Sequence, residues 1–96
     1  MLSKHIVEIL KTLKNEVYQR YKADLKGIFG SYARGDAKID SDIDILVEFQ
    51  EGATLFDLCG MGDFLEEKLQ HKVDVVCQSA IREEIRPYIY NDLVLL

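Results

Sequence analysis

The stretch that most constrains this chain is Ile43-Asp44-Ile45-Leu46-Val47-Glu48-Phe49. It is rich in β-branched residues, long enough for a central strand and poorly suited to a helix, so the fold must contain a sheet. Yet it carries an acid, Asp44, near its start, and another acid, Asp42, stands two residues earlier. Side chains alternate along a strand, so Asp42 and Asp44 point to one face while Ile43, Ile45 and Val47 point to the other. A lone Asp-x-Asp is a weak signal, because aspartate also favours solvated turns. An Asp-x-Asp leading directly into an apolar strand is harder to ascribe to solvation.

The rest of the chain supplies elements to flank that strand. Ile6, Ile9, Leu10, Leu13 and Val17 recur at spacings of three and four, which predicts a helix from Ser3 to about Tyr21 with lysines and glutamates facing solvent. Leu25 to Phe29 reads as a short strand closed by Gly30, and Ser31 is expected to cap a short helix over Tyr32 to about Arg34. Asp36 to Ser41 is a polar turn. Thr54 opens a second helix through Leu69, weakened near its middle by Gly60 and Gly62 at about 1 kcal/mol each relative to alanine. Lys72 to Cys77 predicts a third strand. A last helix is expected from Ser79 or Ala80 toward Tyr90, limited by Pro87, which removes a hydrogen bond and crowds the preceding turn, so the helix should bend or restart there. The apolar terminus Leu93-Val94-Leu95-Leu96 is expected to fold back onto the sheet. Strands alternating with helices define an α/β (α+β) class: a small mixed sheet with helices packed on it.

Ninety-six residues suit one domain, 1–96, with 48% apolar and 30% charged residues and one proline. A formal charge of −5 argues against a protein that neutralises many backbone phosphates, so an extended nucleic acid substrate is disfavoured. The start Met1-Leu2-Ser3-Lys4-His5 lacks the apolar run of a secretory signal, so none is expected, and no stretch approaches the roughly 18 apolar residues of a membrane span. Cys59 and Cys77 lie in apolar stretches without metal-ligand spacing and read as two buried free thiols. A cytoplasmic protein without membrane association is the expectation; self-association is left open. His5 and His71 lack partners at ligand spacing, and the tyrosines read as packing residues, with Tyr32, beside Ser31, the one placed to approach a nucleotide.

Chemistry concentrates in Gly30-Ser31-Tyr32-Ala33-Arg34-Gly35-Asp36-Ala37-Lys38-Ile39-Asp40-Ser41-Asp42-Ile43-Asp44. Two carboxylates about 6 to 7 Å apart along a strand repel one another, and a divalent cation with oxygen ligands relieves them. Asp74, flanked by Val73 and Val75, repeats the pattern; if its strand neighbours that of Asp44, the carboxylates meet. Such a cluster suits two Mg²⁺ ions, with some ligands supplied by substrate phosphates. Gly30 allows a sharp turn and close backbone approach to a phosphate, and Ser31 with the following helix start offers donors. Arg34 is a candidate triphosphate contact, with pairing to Asp36 or Asp40 as the competing reading.

Gly30-Ser31, followed by ten residues and then Asp42-Ile43-Asp44, resembles the signature of the DNA polymerase β-like nucleotidyltransferase superfamily. The fuller GSYARGDAKIDSDIDILVEF is similar to its minimal nucleotidyltransferase branch. Lys72-Val73-Asp74-Val75-Val76 resembles the segment bearing that branch's third carboxylate, and Ile85-Arg86-Pro87-Tyr88-Ile89 its closing segment. The resemblance implies a polymerase β-like palm and Mg²⁺-dependent transfer of AMP from ATP to a hydroxyl, with loss of pyrophosphate. It implies that Asp42 and Asp44 hold both ions, that Asp74 holds the acceptor-side ion and helps deprotonate the hydroxyl, and that Gly30, Ser31 and Arg34 bind nucleotide. It further implies an antitoxin that adenylylates a tyrosine of a HEPN-domain ribonuclease toxin. No appended helical domain of the kind larger relatives carry is expected, and a partner is expected to complete the substrate surface. Two other readings stand beside this one: a non-catalytic binding module that neutralises its partner sterically, and an adenylyltransferase for a small molecule.

Overall fold

In the computed structural model, which describes residues 2–96, helix α1 spans Ser3–Tyr21 and buries Ile6, Leu10, Leu13 and Val17 along one stripe. The helix ends on Lys22 in the left-handed conformation, and strand β1, Ala23–Phe29, begins at the next residue, two residues earlier than expected. Helix α2, Gly30–Arg34, leads through the loop 36–42 into β2, Ile43–Phe49, the strand with the expected bounds. Thr54 caps α3, Leu55–Leu69, in a reciprocal capping box with Asp57. The two glycines inside α3 leave it a single continuous helix, and Gly60 lies against the Tyr21 ring, where a larger residue would collide.

Strand β3, Val73–Cys77, is followed by a 3₁₀ turn at Gln78–Ala80 and then by α4, Arg86–Asp92. The last helix therefore starts later than expected, and it begins at Arg86 with Pro87 in its first turn, where a bend or restart was anticipated. That position tolerates proline, because its missing N–H would have had no intrahelical partner. Leu93–Leu96 does return to the sheet: Val94–Leu95 forms β4.

The sheet order is β3-β2-β1-β4, with β2 and β3 parallel and the other pairs antiparallel, so it is mixed as expected. β4 can lie against β1 because Gly27 has no side chain: a Cβ there would stand 2.3 Å from the Val94 carbonyl oxygen. Register breaks between Leu25 and Gly27, where β1 carries one residue more than β2. This bulge decides which side chains face where. Leu25 and Ile28 both reach the main core, with Ile43, Ile45, Val47 and the inner stripes of α1 and α3. Phe29 instead falls on the opposite face, with Leu46 and Ile81, partly covered by Val76, Ile89 and Leu93. One sheet face is thus closed by two long helices, and the other is covered by the smaller cluster alone.

Cys59 and Cys77 are free but not buried as expected: Cys59 is exposed and Cys77 partly so. In α3 the inner stripe is taken by Met61, Phe64, Leu65 and Leu69, and the helical period turns Cys59 outward. Among the described residues, no helix is long and apolar enough to cross a membrane.

Candidate active site

Asp44 is the second residue of β2, and the parallel ladder sets it directly opposite Asp74 in β3. Neighbouring strands are about 4.8 Å apart, so the two carboxylates leave the same face of the sheet side by side. Their flanking residues, Ile43 with Val73 and Ile45 with Val75, point into the core and hold the register. Asp42 precedes β2 and is exposed, as is Asp74, whereas Asp44 is half-buried.

The electrostatics show that these acids share one field. The Asp44 carboxyl is pushed up from 3.8 to about 6, first by burial, then by the negative charges of Asp74 and Asp42, with Arg34 opposing. Among the described residues, no three His, Cys, Asp or Glu side chains are already gathered into a metal-binding group. The acids are neighbours whose mutual repulsion on Asp44 is only partly offset by Arg34. An all-carboxylate donor set under this strain suits a hard divalent cation such as Mg²⁺, which takes oxygen ligands and lowers the cost of keeping adjacent carboxylates ionised.

Gly30 opens α2 with φ +75°, and a Cβ built on it would stand 2.1 Å from Asp44 Oδ2. Backbone and carboxylate touch at this point, so Gly30 serves both as a left-handed turn and as the floor beneath Asp44. Ser31 is half-buried and lies within α2; the residue flanking that helix is Phe29, in extended conformation and without a side-chain cap, so Ser31 is not the cap anticipated. Its carbonyl receives the N–H groups of Gly35 and Asp36, closing the short helix.

Arg34 is exposed and bonded twice, donating from Nε to Asp36 Oδ2 at 3.1 Å and from Nη1 to Asp92 Oδ2 at 2.7 Å. The pairing with Asp36 was one of the readings open in the sequence. The pairing with Asp92, 58 residues away, ties α2 to the end of α4 and carries no sequence signal. Tyr32, expected near a nucleotide, is buried, with its hydroxyl 3.0 Å from His71 Nε2. The same nitrogen lies 2.6 Å from the Ser41 carbonyl oxygen, one residue before Asp42. His71 therefore has partners that spacing did not suggest, because they are 30 and 39 residues distant. A cavity of about 480 Å³ lies on this side of the molecule, lined by Tyr32, Gly35, Lys38, Ile39 and His71 among others. It includes none of the acids; a smaller one of about 270 Å³, lined by Ser41, Asp42, His71 and Lys72, adjoins Asp42.

A mixed sheet sets two aspartates in register across parallel strands, with a third at the strand entrance and a glycine turn against Asp44, an arrangement suited to holding a hard divalent cation beside a phosphate. The chain belongs to the nucleotidyltransferase domain family, which matches residues 10–95. Among curated relatives, it is 38% identical over 89 residues to the protein adenylyltransferase MntA of Thermococcus cleftensis, an alignment covering 93% of this chain and 90% of the relative. A solved structure assigned to the minimal nucleotidyltransferases superposes with a TM-score of 0.74 at 34% identity, covering 94% of this chain and 95% of the other. A toxin–antitoxin crystal structure with AMP-PNP superposes with a TM-score of 0.68, covering 99% of this chain and 72% of that one; at 21% identity this likeness concerns the fold. The family and the minimal branch agree with the resemblance read from Gly30-Ser31 and Asp42-Ile43-Asp44.

Proposed function

We propose that this nucleotidyltransferase transfers AMP from ATP to a hydroxyl of a partner protein, a tyrosine hydroxyl, and so acts as the antitoxin of a HEPN-domain ribonuclease. The observation that carries the reading is the pairing of Asp44 with Asp74 across β2 and β3, with Asp42 in the same field. The likeness to a protein named as a protein adenylyltransferase supports a protein as the acceptor, and the likeness to a toxin–antitoxin complex with an ATP analogue supports a toxin and ATP.

In this reading Asp42, Asp44 and Asp74 would hold two Mg²⁺ ions, which neutralise charge on the triphosphate and on the departing pyrophosphate. Asp42 and Asp44 would serve both ions and Asp74 the one on the acceptor side. The acceptor oxygen bonds to the α-phosphorus, the bond from that phosphorus to the bridging oxygen of the β-phosphate breaks, pyrophosphate leaves, and the hydroxyl proton passes to the Asp74 carboxylate. The Gly30-Ser31 turn brings backbone close to the phosphates. Arg34 is held by Asp36 through Nε and by Asp92 through Nη1, and its Nη2 would be the group offered to the triphosphate.

The test is incubation of the purified protein with ATP labelled at the α-phosphate, Mg²⁺ and a HEPN-domain ribonuclease. Label should move to the ribonuclease, at a tyrosine, and the Asp42→Asn/Asp44→Asn protein should neither label nor neutralise it. Neutralisation that survives in the double variant would establish a steric binding module instead. Label found only in an added small molecule would reassign the acceptor.

A further inference from the structure

Asp44 and Asp74 are placed by the ladder between β2 and β3, but Asp42 lies outside the strand and needs another means of placement. The loop before it is folded on itself, with Ser41 N donating to the Lys38 carbonyl at 3.0 Å and Lys38 N to Ser41 Oγ at 2.9 Å. Beyond that turn the Ser41–Asp42 peptide is held by His71, through Nε2 to the Ser41 carbonyl at 2.6 Å. On the other side Ile43 N donates to the Lys72 carbonyl at 3.0 Å, so residues 71 and 72 grip the peptides before and after Asp42.

A carbonyl oxygen only accepts, so His71 Nε2 carries the hydrogen. The same N–H then cannot accept the Tyr32 hydroxyl proton; the phenol oxygen, at 3.0 Å, shares the imidazole N–H as a second acceptor. The two rings meet edge to face, with centroids 5.3 Å apart and planes at 75°. Tyr32 is buried, so the imidazole is wedged against a fixed ring. Three segments converge on one nitrogen: α2 beginning at Gly30, the loop that delivers Asp42, and the turn that delivers Asp74.

We propose that His71 is a positioning residue for the metal-binding carboxylates, holding the Ser41–Asp42 peptide so that Asp42 stands beside Asp44, with Tyr32 fixing the imidazole. The inference rests on the reading of Asp42 as a ligand. Groups that orient ligands in this indirect way change metal affinity or activity by about 10- to 100-fold when removed.

The test uses the full chain and three variants. His71→Leu keeps volume and removes the donor. His71→Gln presents an amide N–H at a reach close to that of Nε2. Asp42→Asn removes the group being placed. Binding of Mn²⁺ alone, followed by electron paramagnetic resonance, and kcat and KM for ATP are measured with the melting temperature as the folding control. His71→Leu should weaken Mn²⁺ binding and lower kcat by about 10- to 100-fold, and His71→Gln should recover most of both. In the Asp42→Asn background the His71→Leu change should cost little more, because the residue it places is already disabled. A folded His71→Leu protein with unaltered Mn²⁺ binding, or an equal loss with and without Asp42, overturns the proposal. If His71→Leu does not fold, His71→Asn decides, its amide stopping short of Ser41: Mn²⁺ affinity equal to that of His71→Gln overturns the proposal. An unlabelled product with wild-type protein would refute the transferase reading, while the Mn²⁺ titrations still test the clamp.

Discussion

Substituting Gly30 by alanine separates two roles that one residue combines. The first is conformational: φ is +75°, and a residue with a Cβ in the left-handed region costs about 1 to 2 kcal/mol. In a domain of this size that lowers the melting temperature by about 4 to 8 °C per kcal/mol. The second is spatial. The new Cβ would lie 2.1 Å from Asp44 Oδ2, and ordinary contact begins near 3.4 Å, so the carboxylate must retreat by about 1.3 Å. Because that oxygen is the tip of a side chain, the retreat is made by rotation and adds little to the folding cost. It is expensive for chemistry, where a displacement of about 1 Å in a reacting constellation lowers rates by about 100-fold. Gly35→Ala is the matched control, since Gly35 has φ +86° and nothing within 4 Å of its added Cβ. Both variants should lose comparable thermal stability by circular dichroism, and only Gly30→Ala should lose labelling from ATP, by about 100-fold. Equal activity in the two variants would refute the argument that Gly30 sets the position of Asp44.

Two other outcomes follow from the same structure. The Asp44 carboxyl is raised from 3.8 to about 6 by burial and by Asp74 and Asp42, so the folded state binds its proton more tightly than the unfolded chain does. Stability of the metal-free protein should therefore fall as pH rises from about 4 to about 6. Asp44→Asn should remove that fall, so melting in EDTA should show the variant gaining on wild type across this window and holding the gain above it; parallel curves would refute the cause assigned. Gly62→Ala places a methyl in open space inside α3 and should stabilise the protein by about 1 kcal/mol, read as a rise of about 4 to 8 °C in the melting temperature.

Local pattern determined much of this protein by itself. Apolar spacing of three and four places α1 and α3, the β-branched run places β2, and Thr54 starts α3, because each depends on residues within one or two turns of one another. The alternation in β2 and β3 also assigns Asp44 and Asp74 to the faces opposite their valines and isoleucines. A strand's own pattern does not name its neighbour, so only the sheet decided that β3 runs parallel beside β2 with Asp44 opposite Asp74. The bulge before Gly27, the start of α4 with Pro87 in its first turn, and the docking of β4 over Gly27 depend likewise on pairing and clearance between distant segments. So do the bridge from Arg34 to Asp92 and the meeting of Tyr32, His71 and Ser41. The acids capable of the chemistry were therefore legible residue by residue, whereas the meeting of Asp44 with Asp74 and the hold of His71 on the Ser41 carbonyl arise from contacts across 30 residues, which no local spacing encodes.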